Sequence, residues 1–110
     1  MSQYYHTEHL KKFTEIAEGN PDLAEKFFTY YNSVFQEGSL SGREKSLIAL
    51  AVAHAVQCPY CIDAYSQASL EHGADLDQMT EAVHVACAIR GGASLVHGVQ
   101  MLEHVKQAGM

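Results

Sequence analysis

The sequence predicts an all-α protein of about six helices, and three observations carry that expectation. Apolar residues recur at three- and four-residue spacing along most of the chain, and capping residues and glycines punctuate those runs. No segment combines the period-two alternation of a strand with β-branched enrichment.

Thr7 can cap a first helix reaching about Glu18, with Leu10, Phe13, Ile16 and Ala17 on one face, before Gly19, Asn20 and Pro21 end it. Asn20 as cap and Pro21 at the first helical position then open a second helix that runs to Gly38. Its Leu23, Phe27, Phe28, Tyr31, Val34 and Phe35 repeat at helical spacing, a stripe that reads as core. Ser41, followed three residues later by Glu44, forms a capping box for a third helix that is apolar nearly all round from Leu47 to Val56. Such a helix needs cover on most sides, from its own domain or from neighbouring subunits. Pro59 starts a fourth helix, from Cys58 to about His72, and Gly73 stops it. Asp75 or Asp77 caps a fifth with Met79, Ala82, Val83, Ala86 and Ile89 inward. Gly91 and Gly92 are read as a break, after which Ser94 opens a sixth helix through Val96, Val99, Leu102 and Val105.

The 110 residues suit a single domain spanning 1–110 that folds without structural metal or a disulfide framework. A net charge of -6, with Arg90 the only Lys or Arg between Ser46 and Val105, leaves no basic stripe for nucleic acid or an anionic membrane. The most apolar run, Leu47 to Val56, is half the ~20 residues that a bilayer requires. The opening residues lack the basic and apolar regions of a signal peptide, so a cytoplasmic location is expected. Three cysteines cannot all pair within one chain, and a reducing compartment gives a close pair a purpose other than stapling.

That pair is Cys58-Pro59-Tyr60-Cys61. Pro59 at the first helical position puts Cys58 at the cap and Cys61 in the first turn. There, free backbone N–H groups and the positive end of the helix dipole favour a thiolate, so both sulfurs are expected to be more acidic than a free cysteine. Mid-helix residues three apart hold their Cβ atoms ~5–6 Å apart, and a disulfide needs ~3.5–4.5 Å, a gap that a relaxed helix start can close. His54, one turn before Cys58, is a candidate acid/base partner, and Tyr65, one turn after Cys61, can offer a phenolic hydrogen to a sulfur. His84, Cys87 and His97 sit among core-like residues, and neither a metal site nor a cofactor is expected. His6, His9, His72 and His104 flank polar positions and read as solvent-facing.

The stretch from Arg43 to Cys61, with Glu71-His72-Gly73-Ala74 and Arg90-Gly91-Gly92-Ala93, resembles the alkylhydroperoxidase D and carboxymuconolactone decarboxylase superfamily. Tyr30-Tyr31-Asn32, the segment from Cys58 to Tyr65 and the segment from Ile89 to His97 are further similar to a smaller branch of peroxidase-like proteins associated with arsenosugar biosynthesis. The resemblance implies an all-helical fold assembled as homotrimers or homohexamers. It also implies a dithiol cycle in which Cys61 attacks a hydroperoxide, becomes a sulfenic acid, and is resolved to a disulfide by Cys58. A small dithiol or thioredoxin-like reductant would close the cycle. Helix position alone would instead make Cys58 the nucleophile towards other disulfides. Peroxidase members carry a glutamate twelve residues before the first cysteine and a histidine four after the second. Here those positions are Ser46 and Tyr65, neither of them a base near neutral pH. Glu44 is about 200° around the helix from Ser46, and His54 is the better replacement.

Three activities follow as expectations. The first is a peroxidase-like thiol oxidoreductase acting on hydroperoxides or disulfides. The others are a dithiol module that captures a soft metal or trivalent arsenical, and a cofactor-free lactone decarboxylase.

Overall fold

The computed structural model describes residues 13–109, and among them every regular element is helical. A short 3-10 turn, Phe13–Glu18, precedes four α-helices: α1 Pro21–Val34, α2 Gly42–Ala55, α3 Pro59–Glu71 and α4 Leu76–Gln107. Thr7 and Leu10, assigned by sequence to the first helix, lie outside the described residues; Ile16, assigned to its apolar face, is exposed.

The caps follow the sequence closely. Asn20 Oδ1 accepts the Leu23 N–H to open α1, with Pro21 at the first position, where a missing N–H costs nothing. Ser41 and Glu44 form the reciprocal capping box of α2, with Glu44 N donating to Ser41 Oγ at 3.1 Å and Ser41 N donating to Glu44 Oε1 at 2.7 Å. Asp75 and Gln78 repeat the arrangement at the head of α4. Lys45 closes α1 from outside, its Nζ donating to the Val34 and Gln36 carbonyls at 2.7 and 2.6 Å.

The count of six helices is corrected at the glycine pair: Gly91 and Gly92 lie inside α4, and Ser94 opens nothing. A glycine in a helix costs about 1 kcal/mol relative to alanine but keeps its N–H and its carbonyl, so the hydrogen-bond ladder continues. Pro59 sits at the first position of α3, where its missing N–H costs nothing, and α2 has already ended at Ala55.

The helices α3 and α4 both pack on α2. Among the described residues the buried apolar ones are Leu50 and Ala53 of α2, Ala86 of α4, and Ala74 in the turn before α4. On α2 the buried positions Gly42, Ser46, Leu50 and Ala53 form one stripe, while Ile48 and Val52 are half exposed. Beyond its contact with α2, where Arg90 Nη1 donates to the Ala55 carbonyl at 2.8 Å, α4 leaves Val85, Ile89, Leu95, Val96, Val99 and Leu102 exposed. The radius of gyration, 18.7 Å, exceeds the ~13 Å of a compact chain of about this length. The protomer is open. With its two sequence-predicted pieces fused, α4 is long and apolar enough by length and composition to cross a bilayer, unlike the shorter Leu47 to Val56 run.

Replacing Ser41 with alanine removes the oxygen that accepts the Glu44 N–H. It is expected to lower unfolding stability by about 1 kcal/mol, measured by urea titration with an unchanged denaturant slope.

Candidate active site

The geometry of the site begins at the end of α2. Gln57 takes a left-handed φ of 57°. Its N–H reaches the His54 carbonyl at 3.2 Å, and the Cys58 N–H reaches the Ala53 carbonyl at 3.0 Å. This is the Schellman closure of a helix, with glutamine where glycine is usual, and a left-handed L-residue costs about 1 kcal/mol or more. Cys58 is the next residue and, in extended conformation, caps α3, its Sγ accepting the Cys61 N–H at 3.3 Å. The sequence reading of cap and first turn therefore holds, and both sulfurs are reduced and half-buried.

The expected acidity of both sulfurs does not hold for Cys61, whose pKa is pushed up to about 11. Burial is the largest cause, followed by the hydrogen bond to Cys58 and the charge of Cys58; the backbone hydrogen bond at the helix start lowers it, and by the least. The helix terminus acts in the expected sense but is outweighed by desolvation. The thiol hydrogen of Cys61 is held by its neighbour.

Cys61 opens onto an apolar cavity of about 490 Å³ between α1, α2 and α3, walled by Val34, Phe35, Ile48, Val52 and Val56. Tyr31 and Tyr65 also line it. Tyr65 is thus brought to the cysteine as its spacing suggested, but its hydroxyl is hydrogen-bonded to that of Tyr31, and its ring stacks on Phe35 with centroids 5.2 Å apart. The Tyr31 phenol is raised above its ordinary range by burial first, then by the charges of Cys61 and Cys58. Sequence periodicity placed Tyr31 only in a core stripe. Its partner lies 34 residues away, and no local spacing reveals that.

His54 is not brought to the sulfurs. Its Nδ1 lies 2.9 Å from the Leu50 carbonyl of its own helix, and among the described residues neither sulfur makes a hydrogen bond to it. Glu44 is tied to its cap, which holds its carboxyl below the usual range, mainly through the Ser41 N–H.

Ser46 is buried, 3 % exposed, and His72 reaches it from the end of α3 with Nδ1 3.4 Å from Ser46 Oγ. The same Nδ1 lies 2.9 Å from the Ala68 carbonyl, which fixes the hydrogen on Nδ1 and leaves Nε2 as the acceptor. His72 is solvent-exposed as expected, and its contact with Ser46, 26 residues away, has no local signal in the sequence. Tyr31, Tyr65, Ser46 and His72 line a second, more polar cavity of about 260 Å³. Among the described residues no three His, Cys, Asp or Glu side chains gather as metal ligands, and His84, Cys87 and His97 are all exposed along α4.

The model of the carboxymuconolactone decarboxylase family matches residues 21–104. A crystal structure of a protein from Methanobacterium thermoautotrophicum superposes with a TM-score of 0.74 at 34 % identity, over 78 % of this chain and 97 % of that one. The apo form of a carboxymuconolactone decarboxylase family protein from Legionella pneumophila gives a TM-score of 0.70 at 30 % identity, over 88 % of each chain. Uncharacterized protein 4 in the cox locus of Paracoccus denitrificans is 36 % identical over 88 residues, 80 % of this chain and 79 % of that protein. With the match running from the start of α1 almost to the end of α4, the chain belongs to the carboxymuconolactone decarboxylase family and has its alkylhydroperoxidase D-like fold.

Proposed function

We propose that the protein is a thiol oxidoreductase that cycles between a Cys58, Cys61 dithiol and a Cys58–Cys61 disulfide, reducing hydroperoxides. The observation that carries this reading is the cap geometry. One sulfur accepts the N–H of the residue bearing the other, so the two atoms share one helix start and can join without refolding it.

Cys61 faces the apolar cavity and Cys58 lies behind it at the cap. A hydroperoxide in that cavity meets the Cys61 sulfur. As thiolate, Cys61 attacks the terminal oxygen; the S–O bond forms, the O–O bond breaks, and the alkoxide leaves as an alcohol after taking a proton. Cys58 then attacks the resulting sulfenic acid, the S–S bond forms, and water leaves with the Cys58 proton. Two thiols and one hydroperoxide become one disulfide, one alcohol and one water. A small dithiol or thioredoxin-like protein returns the electrons by disulfide exchange, beginning at Cys58 or Cys61. The cycle needs no metal or organic cofactor, and it places no step on His54, whose ring is tied to its own helix.

The open protomer supports a homo-oligomer, a trimer or hexamer, in the cytosol. Helix α4 is apolar over a length that could span a bilayer, but Arg90 sits at its middle, and an arginine at the centre of a membrane helix costs about 2.5–3.5 kcal/mol. Cover by protein suits such a face better than cover by lipid.

Stopped-flow mixing of the reduced protein with tert-butyl hydroperoxide should consume two thiols per chain, one at Cys58 and one at Cys61, leaving Cys87 free. Consumption of no thiols would leave a disulfide exchanger and remove the peroxidase. In the Cys58→Ala variant, two of the causes that raise Cys61 disappear. The pH profile of Cys61 alkylation should therefore move down from about 11 and reach half its maximum at lower pH; an unmoved profile would show that burial alone sets it.

Replacing Gln57 by glycine relieves the left-handed strain at the turn before Cys58. Its unfolding midpoint in urea should rise by the equivalent of about 0.5 kcal/mol or more, with thiol reactivity retained.

A further inference from the structure

The cavity onto which Cys61 opens is a trough laid along one helix. Lys45, Ile48, Ala49, Val52, Ala53 and Val56 all line it, and their spacing of three and four residues makes them one continuous face of α2 and its cap. The climb from Lys45 to Val56 is about 16 Å long. Cys61 stands at the Val56 end, because the Cys58 N–H closes on the Ala53 carbonyl and the Cys58 sulfur takes the Cys61 N–H. Lys45 stands at the other end, beside Val34 and Leu40. Between the two the walls are aliphatic and aromatic.

Among the described residues Lys45 is the one ammonium or carboxylate that lines this trough. Its side chain is held in place, with Nζ donating to the Val34 carbonyl at 2.7 Å and to the Gln36 carbonyl at 2.6 Å. An ammonium has three donors, so one N–H is left, together with the whole charge. No described carboxylate neutralises it. The acids at this end, Glu37 and Glu44, are bonded to the backbone N–H groups of Gly42 and Ser41, and the one lysine–carboxylate pair among the described residues is Lys26 with Asp22 on α1. The half-buried cation therefore lacks a counter-charge at one end of an apolar space whose other end holds a thiol.

A ligand that suits both ends carries an anion at its head, hydrocarbon behind it, and its reactive group at a fixed distance along the chain. An extended carbon chain advances roughly 1.25 Å per bond, so about a dozen bonds reach from one end of the trough to the other. The volume of about 490 Å³ lies within the range of pockets that enclose molecules of this size.

Deepening the dithiol reading above, and resting on it, we propose that the substrate is the hydroperoxide of a fatty acid, with its carboxylate on Lys45 and its hydroperoxide at Cys61, which makes Lys45 the residue that sets specificity. The chemistry at the sulfur is that of the cycle above. The terminal oxygen passes to Cys61 as the O–O bond breaks, the inner oxygen takes a proton and stays on the chain as a hydroxyl, and water leaves when the Cys58–Cys61 bond forms. Lys45 exchanges no proton in these steps; it aligns the chain. An uncharged hydroperoxide meets the same walls but leaves the ammonium unpaired, so one charge-assisted hydrogen bond separates the two substrates.

The test uses the full-length reduced protein and probes that differ at the head group. Binding is read without redox chemistry, as protection of Cys61 from iodoacetamide by dodecanoate, dodecanol or hexanoate, resolved by peptide mass. Turnover is read by stopped-flow oxidation with 13-hydroperoxylinoleic acid and with its methyl ester. Dodecanoate should protect at about tenfold lower concentration than dodecanol, and the hydroperoxy acid should react about tenfold faster than its ester below saturation. Hexanoate, too short to reach both ends, should leave Cys61 open to labelling. Lys45→Gln, which keeps a donor for the α1 carbonyls without the charge, should erase both preferences by weakening the acids alone, and Lys45→Arg should keep them. A lysine that served only to close α1 would, on replacement, weaken charged and uncharged probes alike. Equal losses in Lys45→Gln, an acid preference that survives there, or a wild-type protein that oxidises with acid and ester equally would each overturn the proposal and leave the peroxidase standing. Lys45-dependent protection by dodecanoate in a protein that consumes no hydroperoxide would support the carboxylate site and overturn the peroxidase reading instead.

Discussion

The backbone N–H of Cys58 closes α2 on the Ala53 carbonyl, while its sulfur closes the first turn of α3 on the Cys61 N–H. One residue thus terminates a helix and begins the next, with no spacer in which the pair could drift. Gln57 carries the strain of that tight junction in a conformation that favours glycine. The gain is positional: both sulfurs are fixed by the same hydrogen bonds that fix the two helices, so any force that moves one sulfur must also fray a helix end. A sulfur is a weaker cap acceptor than a serine or aspartate oxygen.

The remaining architecture supplies surroundings for that junction. Helix α1 contributes Tyr31, Phe35 and the rest of an aromatic run whose rings lie 5.2–5.6 Å apart from Phe27 to Tyr65, joining α1 to α3 across the site. Helix α2 contributes one buried stripe and an apolar flank that walls the cavity. Helix α4 braces α2 on one side, and its apolar rows stay open in the single chain while it lines neither cavity.

What was legible in the sequence was whatever is encoded within four residues. Asn20, Ser41, Cys58 and Asp75 are caps because each side chain reaches an N–H two or three positions ahead, and Gly73 ends α3 with a φ of 86° for an equally local reason. The glycine pair was misjudged because a helix loses about 1 kcal/mol per glycine, whereas breaking α4 would forfeit hydrogen bonds and its packing on α2 together. The site was half legible. Cys58 with Cys61 is a local pattern, but Tyr31 with Tyr65 and Ser46 with His72 are separated by 34 and 26 residues, and only the stacking of helices brings them together. His54 shows the converse: correct helical spacing from Cys58 put it on a plausible face, yet its nearest acceptor was the carbonyl one turn back, a local bond that captured the ring.

The substitution of serine and tyrosine at the two positions where a glutamate and a histidine are expected changes the electrostatics of the site more than its shape. A carboxylate beside the dithiol would be a fixed negative charge that opposes a thiolate unless it takes up a proton itself. A buried Ser46 hydroxyl and a phenol pair are neutral, so neither position places a fixed charge beside Cys61. Neutrality has a cost, because a neutral, desolvated setting leaves Cys61 protonated, and burial is indeed the leading cause of its raised pKa.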